Sequence, residues 1–272
     1  MVIFPNCKIN LGLNILQKRE DGYHDIETLF FPVPLYDVLE IVTAKNNTQF
    51  NNTGIQAGEA EDNLCLKAYY LVKKDYPQLP EINMHLYKAI PIGAGLGGGS
   101  ADAAFTLLLL NKKYDLHISQ SKLFDYALQL GSDCPFFLMN KPSLATGRGE
   151  KMEEIVLSLS AYKILIVNPG IHVNTKEIFQ QIKPAFPSKK IKEIIQQPTI
   201  TWENALTNDF EKVVFPLHPE IKKIKESLYA NQAIYASMTG TGSTVFGIFK
   251  KEDKIDFPVE QGYFQQWIDK LD

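Results

Sequence analysis

Five glycines stand within the seven residues from Gly93 to Gly99, inside the stretch IPIGAGLGGGSADAA (residues 90–104). The alternating and β-branched residues before this stretch predict a strand, and the alanines and leucines after it predict a buried helix. Glycine permits close backbone approach, and each glycine costs conformational entropy that a simple turn would avoid. The stretch therefore favours a binding loop over a plain strand-to-helix connection.

Two nucleotide-binding interpretations of this loop fail on their context. Gly93, Gly95 and Gly98 fit the G-x-G-x-x-G of dinucleotide-binding folds, but the acidic residue needed about 20 positions later would be Asp115, which no strand precedes. A Walker A loop needs a lysine before its final hydroxyl residue, and none is present; the HRD and DFG elements of protein kinases are also missing. The remaining hypothesis is a phosphate cradle, in which backbone N–H groups and the helix N-terminus bind an anion. Ser100 could cap that helix or supply a hydroxyl to a phosphate.

The composition is that of an ordinary soluble globular protein, with 45% hydrophobic and 22% charged residues among 272. A net charge of −3 and scattered basic residues do not suggest a nucleic-acid partner. Three cysteines without CxxC spacing indicate a reducing compartment. The N-terminus lacks the basic region and cleavage site of a signal peptide, and the longest apolar run is too short to cross a bilayer. We therefore expect a cytoplasmic protein with no membrane partner.

The hydrophobic patterns predict an α+β chain with a soft boundary near residues 150–160. We expect an N-terminal domain over 1–155, a C-terminal domain over 156–272, and a surface loop over 183–190. The predicted strands cover residues 38–43, 82–90, 163–167 and 244–249; the predicted helices cover 101–111, 119–130 and 219–229, with another from about 176.

Three further segments carry polar residues in suggestive positions. Lys8 and Asn10 alternate in the apolar strand of KINLGLNIL, so they share one face, although solvated residues of an edge strand would look the same. Asp133 in LGSDCPFF follows a helix end and precedes Pro135, where an ordinary turn residue is the simpler interpretation. SMTGTGSTVFGIF (residues 237–249) is a glycine-rich turn that enters a strand, as a hairpin would be.

Taken together, these motifs resemble the GHMP kinases, the superfamily that includes galactokinase, homoserine kinase and the mevalonate kinases. The pattern Pro-x3-Gly-Leu-Gly followed by glycines, a serine and an alanine-rich helix carries the likeness. The long run from Gly95 to Ser100 is similar to the branch that phosphorylates 4-diphosphocytidyl-2-C-methyl-D-erythritol (CDP-ME), as is REDGYH (residues 19–24). ATGRGE (residues 145–150) resembles a family turn for which no chemical role is assigned. The likeness extends in order from residue 8 to about residue 249.

The resemblance implies a small-molecule kinase of non-mevalonate isoprenoid biosynthesis that uses ATP and Mg²⁺. The expected fold is a two-domain GHMP kinase fold, with a glycine-rich phosphate loop in the N-terminal domain and a smaller, ferredoxin-like C-terminal domain. Asp133 is the implied catalytic base for the 2-hydroxyl of CDP-ME, and Lys8 the implied cation beside it. Phosphoryl transfer depends on such positioning and charge stabilisation.

The same resemblance implies the binding residues. Lys88 is also notable by itself, because it shares an apolar strand face with Ile82 and Met84 yet stands near the glycine loop. The expected ATP-binding residues are Asn63, Lys88, Pro91, Gly93, Ala94, Gly95, Leu96, Gly97, Gly98, Gly99, Ser100 and Ala101. The expected substrate-binding residues are Asn10, Tyr23, His24, Thr175, Phe179, Gly240, Thr241 and Gly242.

The residues leave several alternatives open. Tyr23, His24 and Phe179 suit a flat cytidine slot, but Phe179 could equally be helix core, and Thr175 could cap its helix. No glutamate can be assigned to Mg²⁺, so the metal ligands stay open, as does the oligomeric state. A homoserine or mevalonate kinase is a related alternative, which DGYH and the triple glycine disfavour. A non-catalytic nucleotide sensor is a rival of another class, which the retention of Lys8 and Asp133 disfavours.

Overall fold

The computed structural model describes residues 1–56, 63–258 and 260–271, and its architecture is α+β, as predicted. The elements follow one another as β1 (Val2–Ile3), β2 (Asn6–Lys18), β3 (His24–Tyr36), β4 (Val38–Thr43), β5 (Gln49–Gly54), α1 (Leu64–Asp75), β6 (Ile82–Lys88), α2 (Gly98–Lys113), α3 (Gln120–Leu130), α4 (Cys134–Met139), β7 (Ser143–Gly147), β8 (Lys151–Glu154), β9 (Tyr162–Asn168), α5 (Thr175–Gln181), α6 (Ile191–Ile194), a 3₁₀ turn (Thr199–Thr201), α7 (Glu211–Leu217), α8 (Pro219–Ala230), β10 (Tyr235–Met238), β11 (Val245–Lys250) and β12 (Phe264–Ile268). No helix within the described ranges has both the length and the apolar character that a membrane crossing requires.

The chain divides into two compact units, each made of three segments. The first unit comprises Met1–Cys7, Leu35–Ile92 and Gly97–Asn140, and the second comprises Lys8–Pro34, Gly93–Leu96 and Lys141–Asp272. This division differs from the single boundary near residue 155 that we expect from the sequence, because strands β2 and β3 group with segments far along the chain. The domain limits 1–155 and 156–272 stay a prediction.

The first unit is a four-stranded sheet in the order β1-β4-β6-β5, accompanied by helices α1 to α4. Neighbouring strands are antiparallel except β5 and β6, which are parallel. Strand β6 buries Ile82, Met84 and Leu86 on one face and exposes His85 and Tyr87 on the other, as its alternating sequence predicts. Helix α2 is buried along most of its length, which explains why its sequence is apolar almost all round.

The second unit contains two four-stranded sheets, in the orders β2-β3-β7-β8 and β10-β11-β9-β12. The second of these is antiparallel throughout, and helix α8 packs on its strands β10 and β11. Its core includes Leu165 and Val167 from β9, Val214 from α7 and Leu228 from α8, all essentially inaccessible to solvent. These apolar side chains fix the sheet that carries the C-terminal glycine loop.

Most predicted elements are confirmed to within one or two residues, since local signals determine where they begin and end. Helix α3 begins where the Ser119 hydroxyl accepts from the backbone N–H of Lys122, at 3.3 Å, and it stops at Gly131. Residues 183–190 form the expected loop, with Phe186 73% exposed. Helix α2 begins at Gly98, three residues before its predicted start, so glycines supply its first turn.

Candidate functional site

The glycine loop adopts a backbone that only glycine accepts easily. Gly93, Gly95 and Gly97 have φ angles of +63°, +78° and +71°, in the left-handed region. A Cβ on Gly95 would lie 2.0 Å from the carbonyl oxygen of Thr239, so this position tolerates no side chain. The glycines are thus required by conformation and by close packing, as the sequence predicts.

Helix α2 presents its N-terminus at the end of this loop. Gly97 is the N-cap, and the first helical hydrogen bond runs from the N–H of Ala101 to the carbonyl of Gly97, at 2.9 Å. The first N–H groups of a 16-residue helix have no partner within the helix and carry its positive partial charge. The expectation that Ser100 caps the helix is wrong, because Ser100 lies inside the first turn and Gly97 is the N-cap.

A hydrogen-bonded cluster brings three sequence motifs together. Its members are Lys8, Asn10, Gly95 and Thr239. The Lys8 ammonium donates to the side-chain oxygen of Asn10 at 2.8 Å and to the carbonyl of Gly95 at 2.9 Å. The Thr239 hydroxyl lies 3.0 Å from the same two oxygens and 3.1 Å from the backbone N–H of Asn10. Lys8 is 3% exposed, so its charge is held in a fixed position among these oxygens. The prediction that Lys8 and Asn10 share one face is confirmed.

The C-terminal glycine loop connects β10 to β11 and contacts the first loop directly. A Cβ on Gly240 would lie 3.0 Å from the Cα of Gly95, and the backbone N–H of Gly240 donates to the Asn10 side chain at 2.9 Å. Asn208 holds this loop by donating to the carbonyls of Met238 and Gly240, both at 2.8 Å. Sequence analysis missed Asn208, since an isolated Asn in ALTNDF carries no local signal.

Two predicted substrate residues, His24 and Phe179, contact each other in the second unit, and a third, Tyr23, contacts Arg148. The His24 and Phe179 rings stack with centroids 5.2 Å apart, and the Arg148 guanidinium lies 4.5 Å from the centre of the Tyr23 ring. Tyr23 is 54% exposed, whereas burial lowers the pKa of His24 below its usual value. Arg148 gives the ATGRGE turn a contact that the sequence did not reveal. Phe179 also meets Phe210 edge-on at 4.9 Å, so it combines an aromatic face with a core role.

Thr175 contributes differently from the expectation. The cap of helix α5 is Asn174, whose side chain accepts from the N–H groups of Lys176 and Glu177. The Thr175 hydroxyl instead lies 3.0 Å from that of Thr241, in the C-terminal glycine loop. The predicted capping role of Thr175 is therefore wrong, while its association with Thr241 links two of the expected substrate residues.

The residues expected to contact adenosine have structural partners in the first unit. Asn63 caps helix α1 by accepting from the N–H of Cys65 at 2.8 Å. Lys88 is 3% exposed and donates to the carboxylates of Asp37 and Asp102. A lysine on an apolar strand face usually extends to solvent, but here two carboxylates retain the ammonium inside. Contacts of Asn63 and Lys88 with ATP stay predictions.

Asp133 occupies the N-cap position of helix α4, two residues after the glycine that ends α3. Pro135 lies in the first turn of this helix, where the N–H that proline lacks would have no partner within the helix. Its fixed φ holds the backbone just after Asp133. The side chain of Asp133 is half-buried, as a group that meets a substrate hydroxyl would be. Within the described residues, no group of three or more His, Cys, Asp or Glu side chains could hold a metal ion.

Comparisons with known proteins match both halves of the chain to one family. Residues 63–141 match the GHMP kinases N terminal domain, and residues 184–258 match the GHMP kinases C terminal. The 4-diphosphocytidyl-2-C-methyl-D-erythritol kinase of Bacteroides fragilis strain ATCC 25285 is 51% identical over 259 residues, 94% of each chain. The enzyme of the same name from Bacteroides thetaiotaomicron is 50% identical over 256 residues, 93% of each chain.

Solved structures agree with these matches. A crystal structure of 4-(cytidine 5'-diphospho)-2C-methyl-D-erythritol kinase has a TM-score of 0.79 at 33% identity, over 91% of this chain and 90% of that one. The Methanococcus jannaschii mevalonate kinase has a TM-score of 0.70 at 14% identity, over 98% of both chains, and at that identity it shows the fold alone.

Proposed function

Because this chain belongs to the GHMP kinases and, within them, to the 4-diphosphocytidyl-2-C-methyl-D-erythritol kinases, we propose that it transfers the γ-phosphoryl group of ATP to the 2-hydroxyl of CDP-ME. The products are the 2-phosphate and ADP, and the reaction belongs to non-mevalonate isoprenoid precursor biosynthesis in the cytoplasm. The cluster of Lys8, Asn10, Gly95 and Thr239 carries this proposal, since it joins the N-terminal motif to both glycine loops.

The glycine loop and the first turn of α2 bind the phosphates of ATP, with Mg²⁺ arriving as part of the ATP complex. Left-handed glycines turn backbone N–H groups toward an anion without side chains in the way, and the helix N-terminus adds partial positive charge. Oriented N–H donors of this kind cost no reorganisation when charge develops in the transition state.

Asp133 accepts the proton of the attacking hydroxyl, and the Lys8 ammonium stabilises the negative charge that develops during transfer. The fixed position of Lys8 supports this role, because the oxygens of Asn10 and Gly95 accept hydrogen bonds from its buried ammonium. The aromatic faces of Tyr23, His24 and Phe179 suit the cytosine ring of the substrate, since flat π systems stack favourably.

Phosphorus NMR of the protein with Mg·ATP and CDP-ME tests the proposal directly. We expect a new phosphomonoester signal with the parent protein and none when homoserine or mevalonate replaces CDP-ME. Asp133→Asn should slow turnover by about 10²–10⁴-fold, because that is the typical contribution of a positioned base. Asp115→Asn is the matched control, since this carboxylate is 85% exposed and its φ of +50° suits asparagine. Full turnover by Asp133→Asn would reject Asp133 as the base, and transfer to homoserine or mevalonate alone would reject the substrate.

A further inference from the structure

A buried ionic cluster in the first unit holds two negative charges and one positive charge. Lys88, at the end of β6, donates to Asp37 and to Asp102, the latter at 2.8 Å. The three side chains are at most 4% exposed, so water screens them little. If both carboxylates are ionised, the cluster carries one uncompensated negative charge in a site of low polarity, which is costly.

The two carboxylates of this cluster are not equivalent. Asp37 also accepts from the backbone N–H groups of Ala89 and Ile90, at 2.7 and 2.9 Å, so both of its oxygens have donors. The second oxygen of Asp102, Oδ1, is buried and has no hydrogen-bond partner among the described residues. Because no donor reaches this oxygen, the negative charge of an ionised Asp102 is poorly stabilised, so a proton belongs on Asp102 when the cluster holds one.

The remaining groups that face Asp102 do not supply a compensating charge. Cys65, from α1, has a pKa raised by burial and stays a neutral thiol. The Thr106 hydroxyl donates to the backbone carbonyl of Asp102 and leaves the carboxylate alone. Burial raises the pKa of Asp102 to about 7, against the attraction of Lys88. The charge of the cluster therefore changes within the physiological pH range.

The cluster lies directly beneath the first turn of helix α2. A Cβ on Gly98, the first residue of this helix, would lie 3.1 Å from the Lys88 ammonium, and Asp102 stands one turn further along the same helix. An ionised Asp102 opposes the positive partial charge of this helix end, whereas a neutral Asp102 leaves it undiminished. An anion bound at the first turn and a negative charge on Asp102 disfavour each other.

We propose that anion binding at the N-terminus of α2 is coupled to the uptake of one proton by Asp102, so that nucleotide affinity falls as pH rises. The inference rests on the proposed function, which gives this helix end the phosphates of ATP as its ligand. The proton comes from the solvent and resides on the Oδ1 oxygen of Asp102, and no covalent bond to the nucleotide forms or breaks. By linkage, proton uptake and the slope of affinity against pH are the same quantity.

Isothermal titration calorimetry with Mg·ADP, in two buffers of different ionisation enthalpy, measures the number of protons taken up. We expect roughly half a proton per ADP at pH 8 for the parent protein, and a several-fold loss of affinity between pH 7 and 8.5, within the limit of about tenfold per pH unit for one proton. Asp102→Asn keeps the size of the side chain without the charge. Once the contribution of ADP itself is subtracted, Asp102→Asn should take up less than about 0.1 proton. It should also bind ADP more tightly than the parent does at pH 8.

The controls separate this inference from the function on which it rests. Asp115→Asn removes an exposed charge and should behave as the parent, whereas equal loss of proton uptake in both variants would overturn the assignment to Asp102. Equal uptake by the parent and Asp102→Asn would also overturn it. Carbon-13 NMR of the Asp102 carboxyl in the parent reads the proton without a variant, and a pKa that ADP leaves unchanged would refute the coupling. Absence of any ADP binding by the parent would refute the proposed function itself.

Discussion

Replacing Gly95 with alanine tests the contact between the two glycine loops. The Cβ of this alanine would lie 2.0 Å from the carbonyl oxygen of Thr239, where ordinary contacts begin at 3.4 Å. The two backbones must therefore separate by about 1.4 Å in Gly95→Ala. That displacement breaks the hydrogen bonds that the Gly95 carbonyl accepts from Lys8 and Thr239.

The expected cost follows from these contacts. An alanine at a φ of +78° costs about 1–2 kcal/mol in any left-handed position. Two lost hydrogen bonds, one of them from a charged donor, add about 2–3 kcal/mol. Gly262→Ala is the matched control, because its φ is +86° and no described heavy atom lies within 4 Å of the new Cβ. We expect losses of unfolding free energy of roughly 3–5 kcal/mol for Gly95→Ala and 1–2 kcal/mol for Gly262→Ala.

Urea unfolding gives the stability difference, and kcat/KM with CDP-ME gives its effect on the reaction. Activity should fall at least about 100-fold in Gly95→Ala, since about 3 kcal/mol of distorted transition-state contacts corresponds to that factor. Gly262→Ala should keep parental activity. If Gly95→Ala were as stable and as active as Gly262→Ala, the close packing of the two loops and its part in catalysis would both be refuted.

Three further outcomes follow from the same geometry. Thr239→Val should lower kcat about ten- to 100-fold with little change in KM for ATP, since it removes hydrogen bonds worth about 1 kcal/mol each that position Asn10 beside Lys8. Thr239→Ser should restore kcat, and failure of this rescue would contradict the positioning role of the hydroxyl. Because the folded pKa of Asp102 lies above its ordinary value, its contribution to stability is present at low pH and is lost as pH rises toward about 7. Urea unfolding at pH 5 and pH 8 should show this loss of stability in the parent and a smaller loss in Asp102→Asn. Identical pH profiles of the two proteins would contradict the raised pKa of Asp102. Arg148→Gln should raise KM for CDP-ME about two- to fivefold, the value of an exposed cation–π contact, and a fall in kcat alone would exclude that role.

The sequence predicts those features that short-range chemistry determines. Ser119 and Gly131 delimit helix α3 because a cap and a breaker act on the residues beside them. Lys8 and Asn10 share a face because side chains alternate along any strand. The glycine loop is recognisable because its three left-handed positions, Gly93, Gly95 and Gly97, demand glycine.

Other parts of the site depend on contacts between distant residues, which no local pattern encodes. Asp37 meets Lys88 from 51 positions away, so the sequence marked Lys88 as an ATP-binding residue but could not reveal its buried ion pair. Asn208 supports the loop at Gly240 from 32 positions away. The start of α2 escaped prediction because glycine is a poor helix former, and tertiary packing overrides that preference.

The interleaved segments of the two compact units affect the chain while it is being synthesised. The second unit opens with Lys8–Pro34, but apart from Gly93–Leu96 the rest of it, including β7, which pairs with β3, begins at Lys141. At about 5–20 residues per second the ribosome needs roughly 5–20 s to deliver that partner. During this interval the edge of β3 that pairs with β7 in the folded protein has no partner strand. Folding of the nascent chain therefore depends on how soon its second half is synthesised, and on what covers the early strands until then.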